Sequence, residues 1–109
     1  MLKDISVSVS INFDEDHITK AKMIAMSHFN VMEKQEGADD LTLDDMNVVW
    51  FSKTLSNWKA LVSAPAFTRL YYEVTYSGSK AEAYLDCYIK KSNMVFPDHK
   101  PNTTRSSNT

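Results

Sequence analysis

One cysteine, two glycines and three prolines in 109 residues leave the chain short of several common devices, and basic side chains are not in excess. The lone thiol, Cys87, cannot form an internal disulfide, and no Cys or His spacing matches a zinc motif. A reducing compartment, the cytoplasm, is therefore expected, with no bound metal. No Walker A or dinucleotide-binding sequence occurs, and two glycines could hardly build one, so no nucleotide cofactor is expected either. No apolar run approaches the roughly 20 residues that span a bilayer, and the N-terminus lacks a basic stretch followed by an apolar one, so neither a membrane partner nor secretion is expected. A formal charge of −2 and a pI near 5.8 give no basic field for gripping a phosphate backbone. The remaining composition, 43% hydrophobic and 24% charged, is ordinary for a globular protein. Length and composition predict one domain over 1–96. The segment 97–109, PDHKPNTTRSSNT, is too polar to offset the entropy of ordering and reads as a disordered tail.

The informative residues are concentrated. Between Asn47 and Lys91 lie both tryptophans and all five tyrosines, in four runs: Val48–Leu55, Trp58–Ala64, Leu70–Tyr76 and Ala81–Lys90. Ser56-Asn57, Pro65–Arg69 and Ser77–Lys80 separate them with turn-forming residues, which predicts an antiparallel meander. Phe51, Leu55, Trp58 and Val62 also fit helical spacing, but VVWF is a poor helix start and a helix there would leave too little sheet. A two-residue turn at Ser77-Gly78 or Gly78-Ser79 places Leu70, Tyr72, Val74 and Tyr76 on one face with Ala81, Ala83, Leu85, Cys87 and Ile89. The opposite face then shows Tyr71, Glu73, Thr75, Glu82, Tyr84, Asp86, Tyr88 and Lys90. Strict alternation over 48–64 makes both faces apolar, with Val48 and Trp50 on one and Val49 and Phe51 on the other.

Upstream, Ile5, Val7, Val9 and Ile11 alternate with serines, the pattern of a half-buried strand. Asn12 and Glu15 have capping-box spacing, and the acidic run to Asp16 suits the positive end of a helix dipole, which predicts a helix over about 13–35. Its apolar stripe is Ile18, Ala21, Ala25, Phe29 and Met32. His17 and His28 lie about 16 Å apart along such a helix, too far to hold one ion, and read as exposed. Thr42 and Asp45 repeat the capping-box spacing within an acidic loop that lacks the ligand order of a calcium site. The fold class is α+β: one long N-terminal helix packed on a four- to five-stranded antiparallel meander sheet, in the order β-α-β-β-β-β. That order resembles cystatin-like topology, a fold-level analogy with no function attached. The predicted core is Leu70, Tyr72, Val74, Ala83, Leu85 and Cys87 with Ile18, Ala25, Phe29 and Met32.

The stretches VVWFSKTLSNWKALVS, LYYEVTYSGSK and EAYLDCYIKKSN resemble a group of short proteins of unknown function encoded by phages and prophages of Gram-positive bacteria. The resemblance covers about Phe13 to Asn93. Its specific parts are Lys53–Leu61 and the YYEVTY strand followed by a Gly turn and a Lys. Where the group usually has Asn-Gly this chain has Ser77-Gly78, and where Asp-Gly is common it has Phe67-Thr68, differences confined to turns. The resemblance implies a setting, phage biology in a bacterial host's cytoplasm. It brings no catalytic residue.

No nucleophile with a neighbouring base is legible, because the predicted register turns Cys87 inward. Glu73, Glu82 and Asp86 share a sheet face, which more often signifies surface charge than paired acid-base catalysis. The chain is therefore not expected to be an enzyme. What remains is an aromatic patch of Tyr71, Tyr84 and Tyr88 with Trp50 or Phe51, on the sheet face away from the helix. This points to a protein-binding module acting on a host or phage protein, or to a homodimer. The alternative is single-stranded nucleic acid, with the same rings stacking bases and Lys53, Lys59, Lys80, Lys90 and Lys91 on phosphates; the acidic neighbours count against it.

Overall fold

The computed structural model describes residues 16–99. The predicted strand over 4–11, the Asn12–Glu15 cap and the tail from residue 100 onward lie outside the described residues. Helix α1 spans His17–His28 and starts about four residues later than predicted. Asp16 is its N-cap, with an extended backbone and a carboxylate that accepts from Thr19 N–H at 2.8 Å and Thr19 Oγ1 at 3.0 Å. Those bonds, the backbone one first, hold the Asp16 carboxyl below its usual range. Beyond His28 the helix widens into a π turn, Phe29–Glu33, closed by Lys34 N–H on Phe29 O at 2.9 Å. Asn30 then clamps the loop beyond it: its amide donates to Leu41 O at 3.0 Å and accepts from Leu41 N–H at 2.8 Å. The Thr42 and Asp45 capping-box pair in that loop closes a 3-10 turn at Leu43–Asp45, with Asp45 accepting from Thr42 N–H at 2.7 Å.

Four strands come next: β1 (Asn47–Thr54), β2 (Asn57–Ser63), β3 (Leu70–Ser77) and β4 (Glu82–Ile89), antiparallel in the order β1-β2-β3-β4. The α+β fold class is as the sequence predicts, a helix followed by an antiparallel meander. The turns differ in detail. The first loop is Leu55-Ser56 rather than Ser56-Asn57, with Leu55 at φ 56°. The last is the four residues 78–81, with Ser77 opposite Glu82. Because four and two differ by an even number, the predicted facing of β3 and β4 survives the change. Gly78 packs against the first turn so closely that an added Cβ would overlap Ser56 Oγ and sit 2.5 Å from Ser56 O. Its N–H donates to Asn57 Oδ1 at 2.8 Å.

The core lies between α1 and the sheet. Trp58, Ala60 and Val62 of β2, with Ala64 just past its end, meet Leu70, Tyr72 and Val74 of β3 under Ala21, Ala25 and Phe29. Met46 anchors the acidic loop in the same cluster. Small side chains at Ala21, Ala25 and Ala60, all fully buried, let the helix approach closely over the first three strands. Much of β4 therefore lies beyond its reach. Ala83, Cys87 and Ile89 occupy the helix side as predicted, yet they are exposed, and Leu85 is only partly buried. Ile18 and Met32 also leave the predicted core, since the contact face of α1 is narrower than its apolar stripe and the π turn rotates the residues after Phe29.

A β-bulge resolves the first hairpin. Val48 pairs with Val62, but Trp50 pairs with Leu61 and Phe51 with Ala60, so Val49 is the extra residue. Val48 and Phe51 consequently face the helix together, against the strict alternation read from the sequence. Phe51 stacks on His17 (ring centroids 6.1 Å apart) and meets Trp58 at a tilt (5.8 Å), and Trp58 stacks on Tyr76 (5.4 Å). His17, read as an exposed histidine, thus belongs to an aromatic stack at the start of the helix.

Candidate functional site

The sheet face away from α1 is built by the alternate residues of each strand. Across its middle runs the row Trp50, Leu61, Glu73 and Asp86, each opposite the next. On one side Ser63 faces Tyr71 and Tyr71 faces Tyr88; on the other Lys59 faces Thr75 and Thr75 faces Tyr84. Trp50, Tyr84 and Tyr88 are exposed at 41%, 46% and 51%, while Tyr71 is half-buried. Of the five predicted partner-binding residues, Trp50, Tyr71, Tyr84 and Tyr88 share this face. Phe51 does not, because the bulge turns it into the aromatic stack beneath the helix.

Two carboxylates, Glu73 and Asp86, face each other directly in the centre of these rings. Like charges so placed repel, and Glu73 is the better compensated: it accepts from Tyr88 Oη at 3.3 Å and lies 3.5 Å from Lys59 Nζ. The negative charge of Glu73 raises the Tyr88 phenol above its ordinary pKa, and a hydrogen bond to Glu82 does the same for Tyr84. Both rings remain neutral hydrogen-bonding groups at physiological pH. The face thus combines exposed aromatic planes with net negative charge.

A second cluster lies on the helix side, where α1 ends over β3 and β4. A ring nitrogen of His28, a carboxylate oxygen of Glu33 and the sulfur of Cys87 all fall within 4.8 Å of one another. Tyr72, opposite Cys87 in the register and fully buried, meets the His28 ring edge-on with centroids 5.3 Å apart, and its phenol oxygen is 3.4 Å from His28 Nδ1. Burial pushes the Tyr72 phenol up from its ordinary value, and the Cys87 thiol is raised too because its sulfur is partly shielded from water although the residue as a whole is exposed. Glu33 also borders a cleft of about 750 Å³ floored by Phe29, Leu70 and Ile89.

The model of a family of unknown function, DUF6275, matches residues 18–98. The chain belongs to the DUF6275 family. In this DUF6275 protein the matched stretch contains every residue of both clusters, and residues 4–11 lie outside it. No curated protein and no solved structure shows significant similarity to the chain. Among the described residues, no helix is long and apolar enough to cross a membrane.

The aromatic face was readable because β3 and β4 alternate cleanly. The His28, Glu33 and Cys87 cluster was not. At 3.6 residues per turn, positions 28 and 33 are about 140° apart around a helix and should diverge. Only the π turn, with its i to i+5 hydrogen bonding, brings them into line, and no residue in FNVME announces it.

Proposed function

We propose that this DUF6275 protein is a binding module that uses the sheet face opposite α1 to hold a basic segment of another protein. The observation that carries the reading is the exposed set Trp50, Tyr84 and Tyr88 around the facing carboxylates Glu73 and Asp86. Aromatic planes beside carboxylates suit arginine and lysine side chains, through cation–π contact and charge-assisted hydrogen bonds together. The same charge disfavours self-association through this face, since a second copy would bring carboxylates against carboxylates, and it disfavours nucleic acid for the same reason. The resemblance to short phage and prophage proteins supports a host or phage protein in a bacterial cytoplasm as the partner. No enzymatic step is part of the proposal.

The test is affinity capture from host lysate with three forms: wild type, Trp50→Ala/Tyr88→Ala, and Glu73→Gln/Asp86→Asn. A sizing run and a single-stranded DNA titration accompany it. The expected result is a protein captured by wild type, released by moderate salt, and lost with both variants, from a monomeric bait. Capture of the same proteins by all three forms would reject this face. Tight DNA binding that falls steeply with salt would replace the reading with the nucleic-acid alternative.

A further inference from the structure

We infer that His28, Glu33 and Cys87 form a binding site for a divalent zinc ion. The site is on the helix side of the sheet and is independent of the aromatic face. Its three donors come from three places: the last residue of α1, the last residue of the π turn, and the helix side of β4. An imidazole nitrogen, a carboxylate oxygen and a thiolate sulfur make a mixed donor set that suits a borderline-soft cation such as Zn²⁺; calcium and magnesium prefer oxygen alone.

The dimensions are close to those required. Ligand atoms at about 2.0–2.3 Å from a tetrahedral zinc ion stand roughly 3.3–3.8 Å from one another. The three donor atoms already lie within 4.8 Å of one another, so closing on an ion asks for movements of about an ångström. Glu33 and Cys87 are exposed residues and can supply that movement by side-chain rotation, while His28 is steadied by the Tyr72 ring packed edge-on against it. A hydrogen bond to the ring nitrogen that does not meet the ion commonly fixes a ligating histidine, and the Tyr72 phenol, 3.4 Å from Nδ1, supplies one when Nε2 is the ligand. Binding is written as Cys87–SH + Zn²⁺ giving a Cys87–S–Zn bond with release of H⁺ to solvent; His28 binds as neutral imidazole and Glu33 as carboxylate. Three protein ligands leave a fourth position for water or for a donor arriving from the adjoining cleft.

The π turn has a purpose under this reading. A regular α-helix would carry Glu33 to the far side from His28, so the widened turn is what makes a two-residue contribution from one helix geometrically feasible.

The test uses the full chain, stripped with a chelator and titrated with Co²⁺ as a spectroscopic probe. The expected result is one equivalent bound, a thiolate-to-cobalt charge-transfer band in the near ultraviolet, tetrahedral d–d bands in the visible, and loss of both on adding Zn²⁺. Cys87→Ser should abolish the charge-transfer band, and Glu33→Gln should weaken Co²⁺ binding at least about tenfold. His28→Phe keeps a ring against Tyr72 while removing the nitrogen donor, and should weaken binding similarly; His17→Asn and His99→Asn should not. Circular dichroism of the metal-free forms confirms that each variant folds, and Glu33→Gln and Cys87→Ser, both at exposed residues, keep the test decisive if His28→Phe does not. A titration without the charge-transfer band, or binding that Cys87→Ser and Glu33→Gln leave at wild-type affinity, would overturn the assignment.

Discussion

Trp50 and Phe51 are neighbours in sequence and similar in chemistry, but the bulge at Val49 sends them to opposite faces, so truncating each should give opposite results. Phe51 lies against Trp58 and His17 at 5.8 Å and 6.1 Å between ring centroids and is half-buried. Removing a fully buried Phe costs about 3–5 kcal/mol, and half burial scales this to about 2–3 kcal/mol for Phe51→Ala. Trp50 is 41% exposed on the open face, so Trp50→Ala should cost no more than about 1 kcal/mol, mainly through lost strand preference. In a urea melt the Phe51 variant would lose roughly 1–2 M of midpoint and the Trp50 variant under about 1 M. Far-UV circular dichroism is the suitable signal, because the Trp50 variant removes a fluorophore. Well below its melting temperature, Phe51→Ala should still bind the partner that Trp50→Ala loses. Equal destabilisation by the two, or a larger loss for Trp50→Ala, would mean that strict alternation holds through 48–51 and that the assignment of faces is wrong.

Gly78→Ala should destabilise by about 1–3 kcal/mol in the same melt, since the new methyl meets the backbone oxygen of Ser56 as well as its side chain; a neutral result would mean the two turns are not packed together. Leu55→Gly should stabilise by about 0.5–1 kcal/mol, because Leu55 is exposed and held at φ 56°, a conformation glycine adopts without strain. The depressed folded-state pKa of Asp16 makes its cap fully effective above the unfolded value near 3.9 and progressively lost as pH falls through the folded value. Melting temperatures of wild type and Asp16→Asn should therefore converge towards acid pH, and a gap that stays constant from neutral to pH 2 would contradict this.

Much of the fold was legible because its signals are local and repeated. In β3 and β4, alternation over eight residues each fixed which side chains share a face, and no even-numbered change in turn length could alter that. The first hairpin misled for a definite reason. Val48, Val49, Trp50 and Phe51 are all apolar, so a one-residue slip leaves the hydrophobic pattern looking the same. Cys87 shows a different limit: the pattern gave its side of the sheet correctly, but not how far a helix packed through alanines would spread. Its meeting with His28 and Glu33 depends on a tertiary contact and an irregular turn, neither of which has a period to read. Candidate residues on the aromatic face were correspondingly easier to find than those at the helix end.

The bulge also governs what can join the edge of the sheet. Among the described residues β1 is an outer strand, and a straight outer strand offers an unbroken row of N–H and C=O groups on which another chain can template itself. The extra residue at Val49 breaks that spacing and twists the strand locally, so an incoming segment would find a regular ladder only over the few residues from Phe51 to Thr54. Deleting Val49 would leave Val48, Trp50 and Phe51 on their present faces by simple alternation, and would straighten the margin into a full-length template. The residue that looks superfluous to the fold thus interrupts the pairing row along one margin of the sheet, while β4 keeps an unbroken register at the other.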